Sequence, residues 1–342
     1  MFPMKKFLKR YFVDAMSAMA LGLFATLLIG TILSTLGDYI PYCGFLKDVA
    51  KFASGATGMA IGAAIANSLG AHPLVLLSSI VVGSMSYSMG ATVNGSTYAA
   101  GPAGCFFAVI VAAEVGMLVS KKTRVDILVT PIVTVLVGYG ISRLVCPPVA
   151  YAMYYLGDFL NTATELHPFV MGIIISAVVG VILTLPISSA AICAMISISG
   201  LAGGAAVVGC CAQMVGFAVI SFRENRWGGV LAQGLGTSML QMGNICKKPI
   251  IWLAPTLAAA ICGPISTMLF ELKCNGVSAG MGTCGMVGPI GVFTAMKDSL
   301  DWHFYIGMPV CCIVLPALLA FALNELFRSF HWIRTGDMDL HL

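Results

Sequence analysis

Charged residues are scarce in this sequence. Lys, Arg, Asp and Glu make up only 9% of its 342 residues, against about 25% in soluble domains. None of these four residue types occurs between Leu166 and Phe222. A run of that length is stable only in lipid or deep inside a membrane protein. The mean hydropathy of +0.96 agrees, so we expect an all-α integral membrane protein with many spans.

Several signatures of other protein classes are also missing. The sequence has no glycine loop ending in Lys-Ser or Lys-Thr, which an ATP-binding motor needs. The twelve cysteines follow no metal-ligand spacing, and most lie in apolar runs where Cys acts as a small reduced hydrophobe. Residues 276–280 match the bare G-x-S-x-G pattern without the strand and helix that a nucleophile requires. A net charge of +4 gives no reason to invoke nucleic acid, so we expect no catalytic residue, metal, cofactor or nucleic-acid partner.

What the sequence does contain is a polar, glycine-rich stretch at membrane depth, residues 186–244. Small residues, hydroxyls and amides run through it. Such backbone is tolerated inside a membrane only where protein or water surrounds it. We therefore expect this stretch to line the central cavity of a polytopic protein.

Hydropathy predicts about ten transmembrane helices and two re-entrant hairpins. A span needs about 20 apolar residues, with shorter and longer exceptions. The predicted spans are residues 13–36, 49–69, 73–89, 105–119, 127–145, 168–185, 187–201, 206–222, 249–270 and 304–327. The predicted hairpins are residues 228–244 and 276–296, which are too polar or too rich in glycine for lipid. Residues 90–104 are expected to form a loop or unwound segment, and residues 147–166 a helix on the membrane surface.

The distribution of charge supports one orientation. With ten spans, the basic N-terminal cluster, the basic loops and the Arg328/Arg334 tail fall on one side, and most acidic loops fall on the other. Basic loops stay in the cytoplasm. We therefore expect a bacterial inner-membrane protein with both termini cytoplasmic.

Uncharged donors and acceptors are the main candidates for substrate binding. They suit a neutral polyhydroxylated solute better than a strongly charged one, although the same groups can act as polar glue between helices. They are Asn94, Gln213, Gln233, Thr237, Ser238, Gln241 and Asn244.

Two further candidates carry an alternative interpretation each. Glu114 is a carboxylate inside a predicted span, where it would face a cavity and bind a hydroxyl or a proton, or else pair with Lys121 and Lys122 near the interface. Ser188 and Ser189 follow Pro186 and predict a helix start, which would bind a polar ligand or simply be a capped turn.

Four stretches resemble a known family. They are LPISSAAI (185–192), GLAGGAAVVGCCAQMVGFAVISFREN (200–225), LAQGLGTSMLQ (231–241) and GMGTCGMVGPIG (280–291). They resemble the membrane proteins of the phosphotransferase-system EIIC type 2 family, a group that includes the perfringolysin O regulator proteins of Gram-positive bacteria. The resemblance implies a relative of sugar-translocating EIIC subunits: a homodimer that moves its transport region like an elevator, with a site between its two hairpins. Thr283 would join the site from the second hairpin.

The sequence departs from the sugar-binding pattern of that system in one respect. Sugar EIIC proteins typically carry Glu-Pro in the second hairpin, but here Gly288 precedes Pro289 and residues 276–296 hold no carboxylate. No EIIA or EIIB domain is present in the 342 residues, so we expect separate EIIA and EIIB partners for any sugar phosphorylation.

Together these observations predict an EIIC-like transporter for a small neutral, sugar-like solute, working by alternating access in the lipid bilayer. Residues 1–166 would form a dimerisation and scaffold half, and residues 167–342 a transport half. The alternative is a membrane sensor or regulator of EIIC descent that binds a ligand without transporting it.

Overall fold

The structure, a computed structural model, describes residues 9–40, 42–93, 96–297 and 302–340. Within this part of the chain helices dominate, and the only strands form one small hairpin. The α-helices are α1 (Ala15–Leu23), α2 (Ile29–Tyr39), α3 (Leu46–Gly55), α4 (Thr57–Ser68), α5 (Pro73–Ser88), α6 (Gly101–Val119), α7 (Asp126–Thr164), α8 (Pro168–Thr184), α9 (Ser189–Met195), α10 (Gly200–Ile220), α11 (Phe222–Leu231), α12 (Met242–Lys247), α13 (Leu253–Met268), α14 (Val287–Met296), α15 (Trp302–Pro309) and α16 (Leu315–Ser329). The strands are β1 (Gly90–Val93) and β2 (Ser96–Ala99).

Short π and 3₁₀ turns complete these elements. The π-helical turns are Lys9–Asp14, Phe24–Leu28, Ala232–Gly236 and Val310–Val314. The 3₁₀ turns are Ser238–Gln241, Pro249–Trp252, Gly276–Gly280 and Cys284–Met286.

The prediction of a polytopic all-α membrane protein is confirmed. Among the described residues, six helices are long and apolar enough to cross a membrane: Lys9–Gly37, Gly101–Val119, Asp126–Thr164, Gly200–Ile220, Pro249–Met268 and Phe304–Ser329. A seventh candidate is the pair Leu46–Gly55 and Thr57–Ser68, which bends by 48°. Shorter apolar helices are Pro73–Ser88, Pro168–Thr184 and Cys284–Met296.

Two details of the predicted order of spans are wrong. The stretch 187–201 is not a span, because it holds only the seven-residue α9 and then breaks at Ser197 and Gly200, whose φ angles are +50° and +61°. The predicted surface helix at 147–166 is not a separate element, because α7 continues through Pro147 and Pro148. At about 1.5 Å per residue, a 39-residue helix is roughly 58 Å long and extends well beyond a bilayer core of about 30 Å.

The chain divides into two compact units, with the boundary between Tyr155 and Leu156 inside α7. In the first unit α4, α5 and α6 pack together. Gly58 and Gly62 lie one turn apart on α4, and a Cβ at either would collide with the backbone of α5 at Gly83 or Ser79. Small residues spaced four apart on one helix face allow this close approach of two helix backbones.

The polar stretch at residues 90–104 is partly a β-hairpin. β1 and β2 pair antiparallel, from Gly90 opposite Ala99 to Val93 opposite Ser96. Gly90 has no room for a side chain, because a Cβ there would overlap the carbonyl of Tyr98. The predicted site residue Asn94 lies outside the described residues.

The core of the second unit is the three-helix contact between α8, α10 and α13. α10 is buried along nearly its whole length. Glycines allow the backbones to touch: Gly209 of α10 faces the carbonyl of Ser176 on α8, and Gly263 of α13 faces the carbonyl of Gly172. The Ser176 hydroxyl also donates a 2.8 Å hydrogen bond to the carbonyl of Ala259. This core fixes the side chains that point from α10.

Two helical segments in this unit are interrupted rather than continuous. We call Phe222–Lys247 the first broken segment and Gly276–Met296 the second. The first consists of α11, a π turn, an extended residue at Thr237, a 3₁₀ turn and α12. The second consists of two 3₁₀ turns that lead into α14.

Candidate functional site

A buried polar network is centred on Gln213 of α10, whose side chain is 0% exposed. Its Oε1 accepts hydrogen bonds from the indole Nε1 of Trp252 at 3.2 Å and the hydroxyl of Thr184 at 3.4 Å. Its Nε2 donates to Oγ1 of Thr256 at 3.0 Å. The hydroxyls of Thr184 and Ser238 share a further hydrogen bond of 2.8 Å. We call these five residues the Gln213 cluster.

The cluster joins five elements of the second unit, and the local sequence explains where several of them begin or end. α8 ends at Thr184 because Pro186 restricts Leu185 to an extended backbone, observed at φ −71° and ψ 158°. Ser238 begins a 3₁₀ turn that Thr237 caps by accepting a hydrogen bond from the N–H of Met239. Trp252 ends the 3₁₀ turn that Pro249 begins. Thr184, Ser238 and Trp252 thus each lie at the end of an element, and Thr256 lies in the first turns of α13.

The chemistry of this network is neutral throughout. It consists of amide, hydroxyl and indole groups, with no carboxylate or amine among the five side chains. A primary amide carries two N–H donors, and within the described residues the Gln213 amide uses one of them, on Thr256. Such a network suits a ligand that carries hydroxyl groups around an apolar ring. The neutral donors and acceptors can bind the hydroxyl groups, and the aromatic side chain can pack against the apolar face of the ligand.

The two broken segments contact each other near this network. The Thr283 hydroxyl donates a hydrogen bond to the carbonyl of Gly234, which links the second segment to the first. The N–H of Gly288 donates to the carbonyl of Gly282 at 2.8 Å and closes a tight turn. Gly282 has φ +55°, and a Cβ there would contact the backbone of α10 at Cys210, so only glycine fits this position.

The two predicted serines hold α9 against the second broken segment. Ser188 is the N-cap of α9 and accepts a hydrogen bond from the N–H of Ala191 at 3.2 Å, which confirms the predicted helix start. Ser189 is buried, and its hydroxyl donates to the carbonyl of Gly280 at 2.7 Å. Both serines therefore make structural contacts.

Gln233 lies at the junction of α10 and the first broken segment. It is fully buried, and its Nε2 donates to the hydroxyl of Ser221 at 2.8 Å and the carbonyl of Gly229 at 3.1 Å. Its Oε1 has no hydrogen-bond partner among the described residues. The amide thus joins the end of α10 to the end of α11.

Gln241 and Asn244 contact the C-terminal region of the chain. Gln241 donates from Nε2 to the carbonyl of Met338 at 2.9 Å, and Asn244 donates from Nδ2 to the carbonyl of Asp339 at 2.8 Å. The two amides also share a 2.9 Å hydrogen bond. The sequence gives no sign of this contact, because about 95 residues separate the partners.

Glu114 belongs to the first unit and forms a different ion pair from the one considered above. Its Oε1 lies 2.7 Å from the guanidinium of Arg10 and accepts a 2.7 Å hydrogen bond from the hydroxyl of Tyr11. Lys121 instead donates its backbone N–H to Asp126. The alternative pairing with Lys121 and Lys122 is therefore wrong.

Sequence reasoning missed three members of the Gln213 cluster: Thr184, Trp252 and Thr256. Thr184 and Trp252 do have a local signal, because each lies within three residues of a proline that shapes an element end. Thr256 directly follows Pro255 near the start of α13, but a threonine inside an apolar helix is ordinary and does not by itself indicate a polar cluster. Only the packing of α8 and α13 on α10 brings the three together.

All twelve cysteines are free thiols, and ten of them are buried. No group of three or more His, Cys, Asp or Glu side chains able to hold a metal occurs in the described part of the chain.

Comparison with known proteins identifies a family. The family model described as "Phosphotransferase system, EIIC" matches residues 13–340, which is nearly the whole chain. No curated protein and no solved structure matches it.

Proposed function

The chain belongs to the phosphotransferase-system EIIC family, and on that premise we propose that it carries a small, neutral, polyhydroxylated solute across the membrane. Family membership makes it an EIIC-like membrane permease component that works with EIIA and EIIB partners. The proposal adds the class of solute, a sugar or polyol, and its binding site.

The observation that carries this proposal is the Gln213 cluster. A fully buried, uncharged network in the most buried helix of the second unit supplies the groups that hydroxyls bind. The spare N–H of Gln213 and the hydroxyl of Ser238 are the proposed direct contacts. The ring of Trp252 offers the apolar side of the same site.

Five other predicted site residues receive supporting roles in this proposal. Ser189 and Thr283 hold the second broken segment in place through the carbonyls of Gly280 and Gly234. Ser188, Gln233 and Thr237 fix the ends of helices. Their contribution to binding is to position backbone near the cluster.

Transport by this site requires a moving part. We propose an elevator-type movement of residues 167–342, with residues 1–166 as the scaffold and the contact surface of a homodimer. The basic loops support placement in the bacterial inner membrane with both termini in the cytoplasm. Broken helices that carry a polar site are a recurring arrangement in membrane transporters.

Ligand binding to the purified protein tests the solute class. A ligand that binds only the folded state raises apparent stability, by about 2.7 kcal/mol at a concentration 100 times the dissociation constant. We expect stabilisation by at least one member of a panel of hexoses, hexitols and disaccharides, and none by sugar phosphates. Gln213→Ala is expected to abolish that shift.

The matched control is Val208→Ala, which truncates another fully buried residue of α10 outside the cluster. It should keep the ligand-induced shift even though it lowers the basal melting temperature. A panel in which no neutral solute stabilises the wild-type protein would contradict the proposal, as would a shift that survives Gln213→Ala.

A membrane sensor is the second candidate function, and one observation favours it. Residues 276–296 contain no carboxylate that could bind sugar hydroxyls. Uptake into proteoliposomes separates the two candidates. A solute that stabilises the protein but is taken up no faster than by empty liposomes, at several concentrations, identifies a sensor.

A further inference from the structure

The C-terminal residues Arg334–Leu340, here called the strap, run across the first broken segment. The strap begins with a turn in which the Asp337 carboxylate accepts a 2.6 Å hydrogen bond from the N–H of Arg334. Gly336, at φ +94°, directs its N–H to Glu224 Oε1 at 3.3 Å. The turn thus docks the strap beside α11.

Three side-chain amides bind the backbone of the strap. Asn225 binds it twice: Nδ2 donates to the carbonyl of Met338 at 2.8 Å, and Oδ1 accepts from the N–H of Leu340 at 2.8 Å. Gln241 donates to the same Met338 carbonyl, and Asn244 donates to the carbonyl of Asp339. The amides therefore bind the backbone of a turn (residues 335–338) and of the two residues that follow it.

Two side chains anchor the strap in addition. Met338 is completely buried, although it lies between two aspartates near the end of the chain. The carboxylate of Asp337 lies 2.6 Å from the ammonium of Lys248, which follows α12. The strap is therefore held by an apolar contact, an ion pair and at least four backbone hydrogen bonds.

The positions of these contacts explain what the strap can do. Asn225 lies in α11, Gln241 in the 3₁₀ turn, and Asn244 in α12. Between them the backbone leaves the helical conformation at Arg226 (φ 52°, ψ −151°) and at Thr237 (φ −159°, ψ 143°). The strap thus ties together pieces of a segment that has two natural hinge points.

We propose that the strap is an autoinhibitory latch: while docked, it holds the first broken segment in one conformation and occupies the amides of Gln241 and Asn244. Release of the strap frees these amides and lets the segment move about its two hinge points. The effect on transport rests on the proposed function, but the coupling between strap and segment does not.

Hydrogen–deuterium exchange on the full chain in lipid nanodiscs tests this coupling, using changes in the strap alone. Met338→Glu removes the apolar anchor, and Asp337→Lys reverses the ion pair, while every residue of the first broken segment stays native. We expect exchange to rise by roughly tenfold or more both in residues 333–340 and in residues 238–247, because local opening of a tied unit is cooperative. Exchange in α10 should remain unchanged, which shows that the protein is folded.

Two further variants serve as controls. Thr335→Ala changes the same strap at an exposed side chain and should leave exchange in both regions at the wild-type rate. Adding Lys248→Asp to Asp337→Lys restores opposite charges and should return both regions toward that rate.

The proposal is overturned if the strap exchanges fast while residues 238–247 stay protected, because release of the strap would then have no effect on the first broken segment. It is equally overturned if neither Met338→Glu nor Asp337→Lys accelerates exchange in the strap. Uptake of the panel solutes by proteoliposomes with the wild-type protein and Met338→Glu is measured separately. If neither takes up any solute, the proposed function fails while the exchange data still decide the latch.

Discussion

The indole Nε1 of Trp252 donates a 3.2 Å hydrogen bond to the amide Oε1 of Gln213, a residue 39 positions earlier in the chain. This bond fixes which way the amide of Gln213 faces, because an acceptor is required at the position of Oε1. Its Nε2 is thereby directed at Thr256. One aromatic side chain therefore sets the orientation of the amide in the proposed solute site.

Removal of the indole N–H should lower the stability of the protein, while the site keeps an aromatic ring. Trp252→Phe keeps a ring but deletes one of two donors to Oε1, so we expect a loss of roughly 0.5–1.5 kcal/mol. Thermal unfolding in detergent measures it. Trp227→Phe is the control, because Trp227 is 70% exposed and should change the melting temperature little. Equal effects of the two substitutions would show that the indole bond contributes nothing.

The contact between α8 and α10 should be intolerant of a single methyl group. In Gly209→Ala the new Cβ meets the carbonyl oxygen and backbone carbon of Ser176. Backbone cannot move aside as a side chain can, so we expect destabilisation of roughly 1–3 kcal/mol. The measurement is the apparent melting temperature.

A matched glycine in α7 provides the control for that experiment. A Cβ at Gly140 has nothing within 4 Å. Gly140→Ala should therefore be neutral or stabilise the helix by up to about 1 kcal/mol. Similar melting temperatures for Gly209→Ala and the wild-type protein would contradict the observed close approach.

Replacing only one partner of the ion pair between Glu224 and Arg328 should strongly lower the free energy of unfolding. The paired atoms lie 2.9 Å apart, and the side chains are 3% and 11% exposed. Glu224→Gln or Arg328→Met alone leaves one buried charge, so each is expected to cost roughly 3–5 kcal/mol. The double variant should cost clearly less than the sum of the two, as measured in a double-mutant cycle of unfolding free energies.

An exposed pair nearby calibrates this cycle. Arg223 and Glu325 lie 3.2 Å apart with side chains 54% and 36% exposed. Solvent screens such a pair, so its coupling should be at most about 1 kcal/mol. Equal coupling energies for both pairs would show that burial of Glu224 and Arg328 does not strengthen their interaction.

Acid should weaken the attachment of the strap. Partial burial alone would raise the pKa of Asp337, but the hydrogen bonds from Lys248 and the Arg334 N–H, together with their two positive charges, outweigh it. The pKa of Asp337 is therefore held below its usual 3.8. A lowered pKa means that the stabilisation is fully present above pH 3.8 and is lost as pH falls through the lowered value.

The variant Asp337→Asn tests this pH dependence. Its melting temperature should lie below that of the wild-type protein at neutral pH, and the gap should close in the acidic range below pH 3.8. A gap of the same size at pH 7 and at pH 3 would show that the carboxylate charge does not hold the strap.

The comparison of sequence and structure is clearest at α10 and α9. The uncharged run around Gly200–Ile220 predicts a buried span, and α10 forms because nothing in the run interrupts the helix. The equally apolar run at 187–201 does not span, because Ser197 and Gly200 adopt left-handed backbone that hydropathy does not register. Similarly, Pro147 and Pro148 suggest a break, but α7 continues through both.

The sequence by itself determined that this is a polytopic helical membrane protein of the EIIC family, because apolar runs and family motifs are local properties of the chain. It also identified Gln213 and Ser238 as uncharged polar groups at membrane depth. Only the tertiary structure decided which groups meet. Packing of α8 and α13 on α10 brings Thr184, Trp252 and Thr256 to Gln213, and the strap takes Gln241 and Asn244. Such contacts depend on relative positions of helices, which the order of residues along one helix does not record.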